Sequence, residues 1–192
     1  MINKTGLIVI DMQNSFLHPN GENYFSAAAK VVEPVLSLIE TARNSGCLIV
    51  HTVDQHRVGL PDFEQKHLPV HCLEGDTNAE YFDQFGPRSD CDLEIEIVKR
   101  RYSAFFATDL ALTLQECGIE NTIICGVKTN VCVRSTSQDA FAYGFNVFVP
   151  TTATASNREN LAVASLEDID RYFGNTIDLE AANRMLTEGM IS

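Results

Sequence analysis

The stretch IICGVKTNVCVRST, residues 123–136, predicts a strand, a turn and a helix in immediate succession. Its first residues belong to a short run rich in β-branched side chains, Asn121 to Gly126, and the spacing from Val131 to Tyr143 is typical of a helix. We therefore expect Cys132 in the first turn of that helix. Unpaired backbone N–H groups and the positive end of the helix dipole favour a thiolate over a thiol there. The pattern indicates a nucleophile just past a buried strand.

Apolar runs alternate with amphipathic segments along the rest of the chain. The predicted strands are Leu7 to Ile10, Leu48 to Val53, Ile95 to Val98, Thr122 to Cys125 and Asn146 to Val149. The predicted helices are Ala27 to Arg43, Thr108 to Cys117, Val131 to Tyr143 and Asn160 to Tyr172. Strands that are apolar on both faces and joined by helices indicate a parallel sheet with helices on either side. We predict an α/β fold of three αβα layers with a doubly wound, mostly parallel, Rossmann-like sheet, and residues 1–192 as a single domain.

Charge and composition exclude several classes of partner. The formal net charge of −12 argues against nucleic acid and anionic membranes, because both need a basic face on the protein. The first apolar run ends at Asp11, and no segment approaches the roughly 20 apolar residues of a membrane span. The six cysteines form no Cys-x-x-Cys pair, so a disulfide framework is not expected. We expect a soluble, cytoplasmic protein that acts on a small molecule.

Three residues with reactive side chains follow three of the predicted strands. Asp11 follows the first strand, Lys99 follows the third, and Cys132 follows the fourth after a short turn. The carboxyl ends of parallel strands meet at one edge of the sheet, where open α/β folds bind ligands. Each residue alone has an ordinary explanation: a helix cap, a solvated charge or a core thiol. Their convergence on one edge favours a shared site.

Four segments of the chain resemble the isochorismatase-like superfamily of cysteine hydrolases. They are LIVIDMQNSF (7–16), VKRRYSAFFATDL (98–110), GIENTIICGVKTNVCVRSTSQDAFAYGFNVFV (118–149) and the following TTATAS. The superfamily includes nicotinamidases, N-carbamoylsarcosine amidases and ureidoacrylate amidohydrolases. The resemblance implies the isochorismatase-like hydrolase fold. It also implies a catalytic triad of Cys132 as nucleophile, Asp11 as the proton-transferring carboxylate and Lys99 as the third member.

The resemblance implies two further features of the backbone and the assembly. A non-proline cis peptide bond is expected between Val127 and Lys128, with the backbone N–H groups of Lys128 and Cys132 forming an oxyanion hole. Relatives often form dimers or tetramers, and the segment FFATDLALTLQECGI offers an apolar face. We therefore expect a homo-oligomer.

These residues predict hydrolysis of a C–N bond without a required cofactor. A thiolate attacks an amide or ureido carbonyl, and the N–H donors stabilise the tetrahedral oxyanion. No histidine lies in the matched motifs, so Asp11 is the expected base, with Lys99 holding it ionised. Isochorismate hydrolases of this superfamily cleave a vinyl ether and need no thiol, so Cys132 favours amide chemistry. A thioester intermediate is expected.

A second set of residues predicts a possible divalent metal such as zinc. Asp54 and His56 end a strand and can bind a metal together with His71, in a stretch that resembles the metal-binding segment of nicotinamidases. Two departures weaken the likeness: Leu68 stands where those enzymes carry a Trp, and Asp62 is found where a further His is common. The alternative is that His51 packs in a strand, while His56 and Arg57 border the pocket and contact the substrate without a metal.

The expected substrate pocket combines aromatic and basic side chains. Phe16, Tyr102 and Phe105 are predicted as apolar walls, and Arg57 or Arg101 as a clamp for a substrate carboxylate. The leading interpretation is an N-carbamoylsarcosine amidase-like enzyme, and the alternative is a nicotinamidase. A nucleotide-binding or redox-regulatory protein is a further alternative, disfavoured because no GxGxxG turn follows the first strand.

Overall fold

A parallel sheet of seven strands forms the centre of the computed structural model, which describes residues 3–188. The strands are β1 (Thr5–Ile10), β2 (Ile49–Asp54), β3 (Glu94–Lys99), β4 (Asn121–Val127), β5 (Asn146–Pro150), β6 (Thr154–Ala155) and β7 (Asn175–Ile177). Their order is β3-β2-β1-β4-β5-β7, and the short β6 pairs with β4. Each of these pairings is parallel. The predicted doubly wound parallel sheet is confirmed.

Helices cover both faces of the sheet and complete the three layers. They are α1 (Asn14–Leu17), α2 (Val32–Asn44), α3 (Leu110–Glu116), α4 (Arg134–Ala142), α5 (Glu159–Asp168) and α6 (Leu179–Glu188). On one face α2 and α6 share a core with Leu7 and Val9, whereas α3 and α4 share one with Ile8 and Ile10 on the other face. β1 is therefore buried on both sides. Each of its large apolar side chains contributes about 1.5–3 kcal/mol to stability by leaving water.

The predicted helix from Ala27 to Arg43 begins as a 3₁₀ turn and becomes α-helical only at Val32. The 3₁₀ turn spans Ser26–Val31 and runs directly into α2. Pro34 is the third residue of α2. Proline has no N–H, and its ring blocks the carbonyl four residues earlier, so a regular α-helix begins no more than about one turn before it.

The predicted helix from Val131 to Tyr143 also begins irregularly. A π-helical turn, Thr129–Val133, precedes α4, and Cys132 lies within this turn. The wider turn places the cysteine between the end of β4 and the first residue of α4. Cys132 therefore stands immediately before the regular helix and not in its first turn, as the sequence had indicated.

The sequence prediction omits β6, β7, α6 and the four-residue α1. The two strands contain only two and three residues, too few for a periodic pattern. α6 does carry a signal, because Asp178 accepts a hydrogen bond from the N–H of Ala181 at 2.6 Å, as a helix-capping aspartate does. Ala182 and Leu186, four residues apart, are its buried positions. The predicted helix from Asn160 to Tyr172 ends instead at Asp168 and continues as a π turn.

Some large apolar side chains stay exposed on the helical surface. Leu112 on α3 and Phe141 on α4 are 57% and 54% exposed. A homo-oligomer would cover such side chains, and association between copies stays a prediction. Among residues 3–188, no helix combines the length and the apolar character that a bilayer crossing requires.

Gly126 lies where β4 passes closest to the end of β1. Its φ is +107°, and a Cβ at this position would overlap the carbonyl oxygen of Ile10. Gly126 is also the register partner of Ile10, the residue before Asp11. A side chain here would push apart the two strand ends that position Asp11 and Cys132.

We expect Gly126→Ala to lower the free energy of unfolding more than a matched change at Gly118. Gly118 also has a positive φ, +69°, but open space around the missing Cβ, so Gly118→Ala costs only about 1–2 kcal/mol of backbone strain. Gly126→Ala adds the backbone overlap and should cost at least about 2 kcal/mol more. Denaturant unfolding of both variants measures the difference, and equal losses would contradict the close approach of β1 and β4.

Candidate active site

Asp11, Lys99 and Cys132 lie together at the carboxyl edge of the sheet. Lys99 Nζ is 2.8 Å from Asp11 Oδ2 and 3.6 Å from Cys132 Sγ. Asp11 is 0%, Lys99 1% and Cys132 6% exposed. The structure therefore brings the three sequence-predicted residues into one buried cluster, and their catalytic roles stay a prediction.

Lys99 is a buried cation held by several negative groups. Burial lowers the pKa of its ammonium, but the charges of Asp11 and Asp54 outweigh burial, so the pKa lies well above its usual value. Asp54 Oδ1 is 3.7 Å from Lys99 Nζ. The side chain thus carries a fixed positive charge between two carboxylates and a thiol.

The surroundings of Cys132 favour the protonated thiol over the thiolate. Burial raises the pKa of its thiol well above the usual value; the charge of Lys99 acts in the opposite sense, and the charge and hydrogen bond of Asp11 add to the effect of burial. Desolvation therefore opposes the preference for a thiolate that the helix position predicts. A thiol in this state would need a neighbouring base to take its proton before it could act as a nucleophile.

Asp11 is the predicted base, and its environment suits that role. Burial raises the pKa of its carboxyl above the usual value, with Lys99 acting in the opposite sense and Asp54 adding to the rise. A carboxylate whose pKa is raised accepts a proton more readily than one in water. Asp11 and Cys132 together can therefore exchange one proton within the buried cluster.

Two polar residues that the sequence interpretation missed hold Asp11 and Asp54 in place. Thr52 donates its hydroxyl to Asp11 Oδ1 at 2.6 Å and accepts the Asp11 N–H at 3.1 Å. Asp11 has a φ of +51°, which turns the chain sharply at the end of β1. Gln13 donates its amide to the carbonyl of Asp54 at 3.0 Å and accepts the Asp54 N–H at 2.9 Å. The motif Asp-Met-Gln at residues 11–13 could have indicated the role of Gln13, whose side chain reaches the end of the neighbouring strand β2.

The backbone around Cys132 has the form that the resemblance implies. The peptide bond between Val127 and Lys128 is cis. The carbonyl of Lys128 accepts hydrogen bonds from the N–H groups of Val131 and Val133, at 3.1 and 3.2 Å. Lys128 and Cys132 thus lie on one short turn. The oxyanion role of their N–H groups stays a prediction.

Asp54, His56 and His71 converge beside this cluster. Ligand atoms of the three residues lie within 4.8 Å of one another. His56 Nδ1 is 2.9 Å from Asp62, and His71 Nδ1 is 2.8 Å from the carbonyl of Pro69. In the neutral imidazoles, donation from both Nδ1 atoms leaves each Nε2 with a lone pair, and His56 Nε2 is buried without a hydrogen-bond partner. The hydrogen bond to Asp54 raises the pKa of His71, so a metal at this position would compete with a proton on that imidazole. This set of donors fits a zinc ion, and Asp62 orients His56 instead of binding the metal itself.

Glu64 is a further acidic residue at this site that the sequence interpretation missed. It is buried, its Oε1 is 3.8 Å from His71 Nε2, and its Oε2 has no hydrogen-bond partner. Burial raises the pKa of its carboxyl, and the charge of Asp54 adds to the rise. An unsatisfied buried oxygen beside two histidines adds a possible ligand to the donor set. Its position depends on the path of the loop after β2, which no periodic pattern describes.

A cavity of about 390 Å³ opens onto both clusters. Phe16 and Tyr102 line it, as predicted. Phe105 does not: it is 3% exposed and stacks on Tyr143 and Phe145 in the core, with ring centroids 5.4 and 6.1 Å away. The positions of aromatic residues in the sequence could not distinguish a pocket wall from a residue buried in the core.

The two arginines predicted as a carboxylate clamp are placed elsewhere. Arg101 donates to Asp62 at 3.0 Å and to the carbonyl of Arg100, so its guanidinium is already paired. Arg57 is exposed, and neither residue lines the 390 Å³ cavity. The structure therefore does not place the predicted clamp at this cavity, because the loop carries Arg57 outward and Arg101 pairs with Asp62.

The comparison with known proteins agrees with this geometry. Residues 5–181 match the isochorismatase domain family. The chain belongs to the isochorismatase family. This isochorismatase-family protein is 34% identical over 175 residues to a protein of Arabidopsis thaliana named as a probable inactive nicotinamidase, covering 86% of this chain and 87% of that one. It is 28% identical over 190 residues to the maleamate amidohydrolase of Pseudomonas putida, covering 95% and 87%.

Solved structures show the same fold. The N-carbamoylsarcosine amidase of Thermoplasma acidophilum matches with a TM-score of 0.81 and 27% identity, covering 94% of this chain and 98% of that one. The pyrazinamidase of Pyrococcus horikoshii, solved in complex with zinc, matches with a TM-score of 0.82 and 29% identity, covering 91% and 99%. The isochorismatase-like fold and family predicted from the sequence are thereby confirmed.

Proposed function

We propose that this protein hydrolyses the C–N bond of a small amide or ureido compound through a thioester on Cys132. The observation that carries the proposal is the single ammonium of Lys99, which contacts both a carboxylate and a thiol next to the cavity. A proton acceptor, a nucleophile and a fixed cation thus share one water-poor site. Charge interactions are strong in such a site because little solvent screens them.

The first step forms the bond between sulfur and carbon. Asp11 takes the proton of the Cys132 thiol, and the sulfur adds to the substrate carbonyl carbon while the carbonyl electron pair moves onto oxygen. Lys99 stays protonated and stabilises the thiolate as it forms. The N–H groups of Lys128 and Cys132 are the proposed donors to the oxyanion, each worth about 3 kcal/mol in comparable sites.

The following steps release the nitrogen and regenerate the thiol. The oxyanion collapses, the C–N bond breaks, and protonated Asp11 gives its proton to the departing nitrogen. Ammonia or an amine leaves, and the acyl group remains on sulfur as a thioester. Asp11 then takes a proton from a water molecule, the hydroxide adds to the thioester carbon, and the Cys132 thiolate departs and is reprotonated.

We propose two types of substrate. An N-carbamoylsarcosine amidase-like activity is the leading proposal, supported by the fold likeness to that amidase and by relatives named as amidohydrolases. Nicotinamide hydrolysis is the second, favoured by the Asp54, His56 and His71 set, which resembles that of zinc-binding nicotinamidases. Because one relative is named as a probable inactive nicotinamidase, similarity alone does not decide activity, and the proposal depends on the geometry of Lys99.

The two other classes of function, nucleotide binding and redox regulation, have less support. A nucleotide-binding site would need a backbone turn open to phosphate after β1, and Asp11 occupies that position. A redox switch would need a thiol that can reach Cys132. Cys125 is 0% exposed within β4, and burial raises its pKa, so it is a poor partner for disulfide exchange.

We expect Cys132→Ala to abolish ammonia release from the best substrate in a panel that includes N-carbamoylsarcosine and nicotinamide. Loss of the nucleophile should lower kcat/KM by about a thousandfold or more. Cys117→Ala is the matched control, because Cys117 lies at the end of α3 away from the cavity, and it should retain activity within about twofold. Ammonia release that persists in Cys132→Ala would contradict the thioester route.

We further propose that Asp54, His56 and His71 hold a zinc ion, with Glu64 beside them. Zinc bound there would act as a Lewis acid toward a polar group of the substrate. Asp54 also faces Lys99, so the metal site and the catalytic cluster share one carboxylate.

His56→Ala should weaken zinc binding by tenfold or more, and His67→Ala should not change it. His67 belongs to the same loop but is exposed and is not one of the proposed ligands. His67→Ala therefore controls for the loss of a histidine that does not bind the metal. Isothermal titration with Zn²⁺ after chelator treatment and dialysis measures both affinities. Equal affinities in the two variants would show that zinc does not bind at this cluster.

A further inference from the structure

Lys128 lines the active-site cavity, and its ammonium has no carboxylate within ion-pair distance among residues 3–188. Across residues 3–188 the lysine ion pairs are those of Lys4 and Lys99, and Lys128 has none. Lys128 is one of the residues lining the 390 Å³ cavity, together with Cys132. A positive charge beside the nucleophile is therefore available to a ligand.

The surroundings of Lys128 hold the ammonium in place but do not neutralise it. Its Nζ lies 5.4 Å from the ring centroid of Phe16 and 5.8 Å from that of Phe25. Such cation–π contacts orient an ammonium and replace part of its hydration. Phe16 also lines the cavity, so the rings support the ammonium from a wall of the same pocket.

The charge of Lys128 is partly desolvated. Burial lowers the pKa of its ammonium, and the smaller influence of Cys132, Cys72 and Asp54 acts in the opposite sense. A partly buried cation is stabilised when a counter-charge enters its site. The two carboxylates that line the cavity, Asp54 and Glu64, lie within 3.8 Å of His71 and face the donor set described above.

The other polar side chains of the pocket are uncharged and can donate hydrogen bonds. Asn130 and Asn157 line the cavity, and the Oδ1 of Asn130 already accepts a hydrogen bond from Ser156. The amide nitrogen of Asn130 is therefore left as a donor. An ammonium accompanied by neutral N–H donors is a suitable environment for a carboxylate.

We infer that Lys128 is a specificity-determining residue that binds a carboxylate of the substrate. The substrate class is then a small acid amide or ureido acid, with an anionic group at one end and the scissile C–N bond at the other. This inference rests on the proposed hydrolysis at Cys132 and narrows it. Lys128 takes the role that the sequence interpretation gave to Arg57 or Arg101, and an uncharged amide such as nicotinamide would leave the ammonium without its counter-charge.

Equilibrium binding to catalytically silent protein tests the inference separately from hydrolysis. The full-length Cys132→Ser protein is titrated calorimetrically with the monoamides of malonic, succinic and glutaric acids and with the matching uncharged diamides. The titrations are repeated with Lys128→Met and Lys128→Arg in the same background. Met keeps the length of the side chain and removes the charge, whereas Arg restores the charge. Thermal unfolding and metal content are measured for each protein, so that a folding or metal defect is recognised.

At least one acid amide should bind about tenfold or more tighter than its diamide, as expected for a charged hydrogen bond. Lys128→Met should remove this preference while changing diamide affinity less than about threefold, and Lys128→Arg should restore part of it. The inference is overturned if no acid amide binds tighter than its diamide, or if the preference survives in Lys128→Met. Ammonia release that requires Cys132 but shows no such preference would leave the proposed hydrolysis standing and remove Lys128 from substrate selection.

Discussion

The buried ammonium of Lys99 is the interaction on which the rest of the site depends. It lies 2.8 Å from the carboxylate of Asp11, 3.7 Å from that of Asp54 and 3.6 Å from the sulfur of Cys132. A cation in the protein interior is strongly unfavourable without partners, and so are two neighbouring carboxylates without a cation. Lys99 therefore stabilises both carboxylates, and each carboxylate stabilises Lys99. Asp54 also belongs to the proposed metal site. Through Lys99, the proposed proton transfer at Asp11 is therefore coupled to the charge at that site.

The sheet explains why a lysine performs this role. β3 is separated from β1 by β2, and neighbouring strands lie about 4.8 Å apart, so roughly 10 Å separates the two strand ends. The long stem of Lys99 spans most of this distance while remaining buried. Thr52 and Gln13 then connect the ends of β1 and β2 by hydrogen bonds, and Gly126 lets β4 approach β1. The geometry of the cluster is thus a property of backbone placement more than of flexible side chains.

The parts of the site at strand ends were predictable, and the parts in loops were not. Asp11, Lys99 and Cys132 could be brought together from the sequence because parallel strands all end at one edge. Glu64 and Arg101 depend on the course of the long connection between β2 and β3, where no periodicity constrains side-chain direction. The rise in the Cys132 pKa was also not readable from the sequence, since the helix position favours a thiolate and burial, which opposes it, is visible only in the structure.

The most direct measurement is the titration of Cys132 itself. The ultraviolet absorbance of its thiolate, obtained as the difference between the wild-type protein and Cys132→Ser, can be followed from about pH 6 to pH 10. We predict no Cys132 thiolate at neutral pH in the wild-type protein and a lower pKa in Asp11→Asn, because that change removes a negative charge and leaves the positive charge of Lys99. A thiolate already present at neutral pH, or a pKa that rises in Asp11→Asn, would contradict a site in which Asp11 holds the thiol protonated until substrate is attacked.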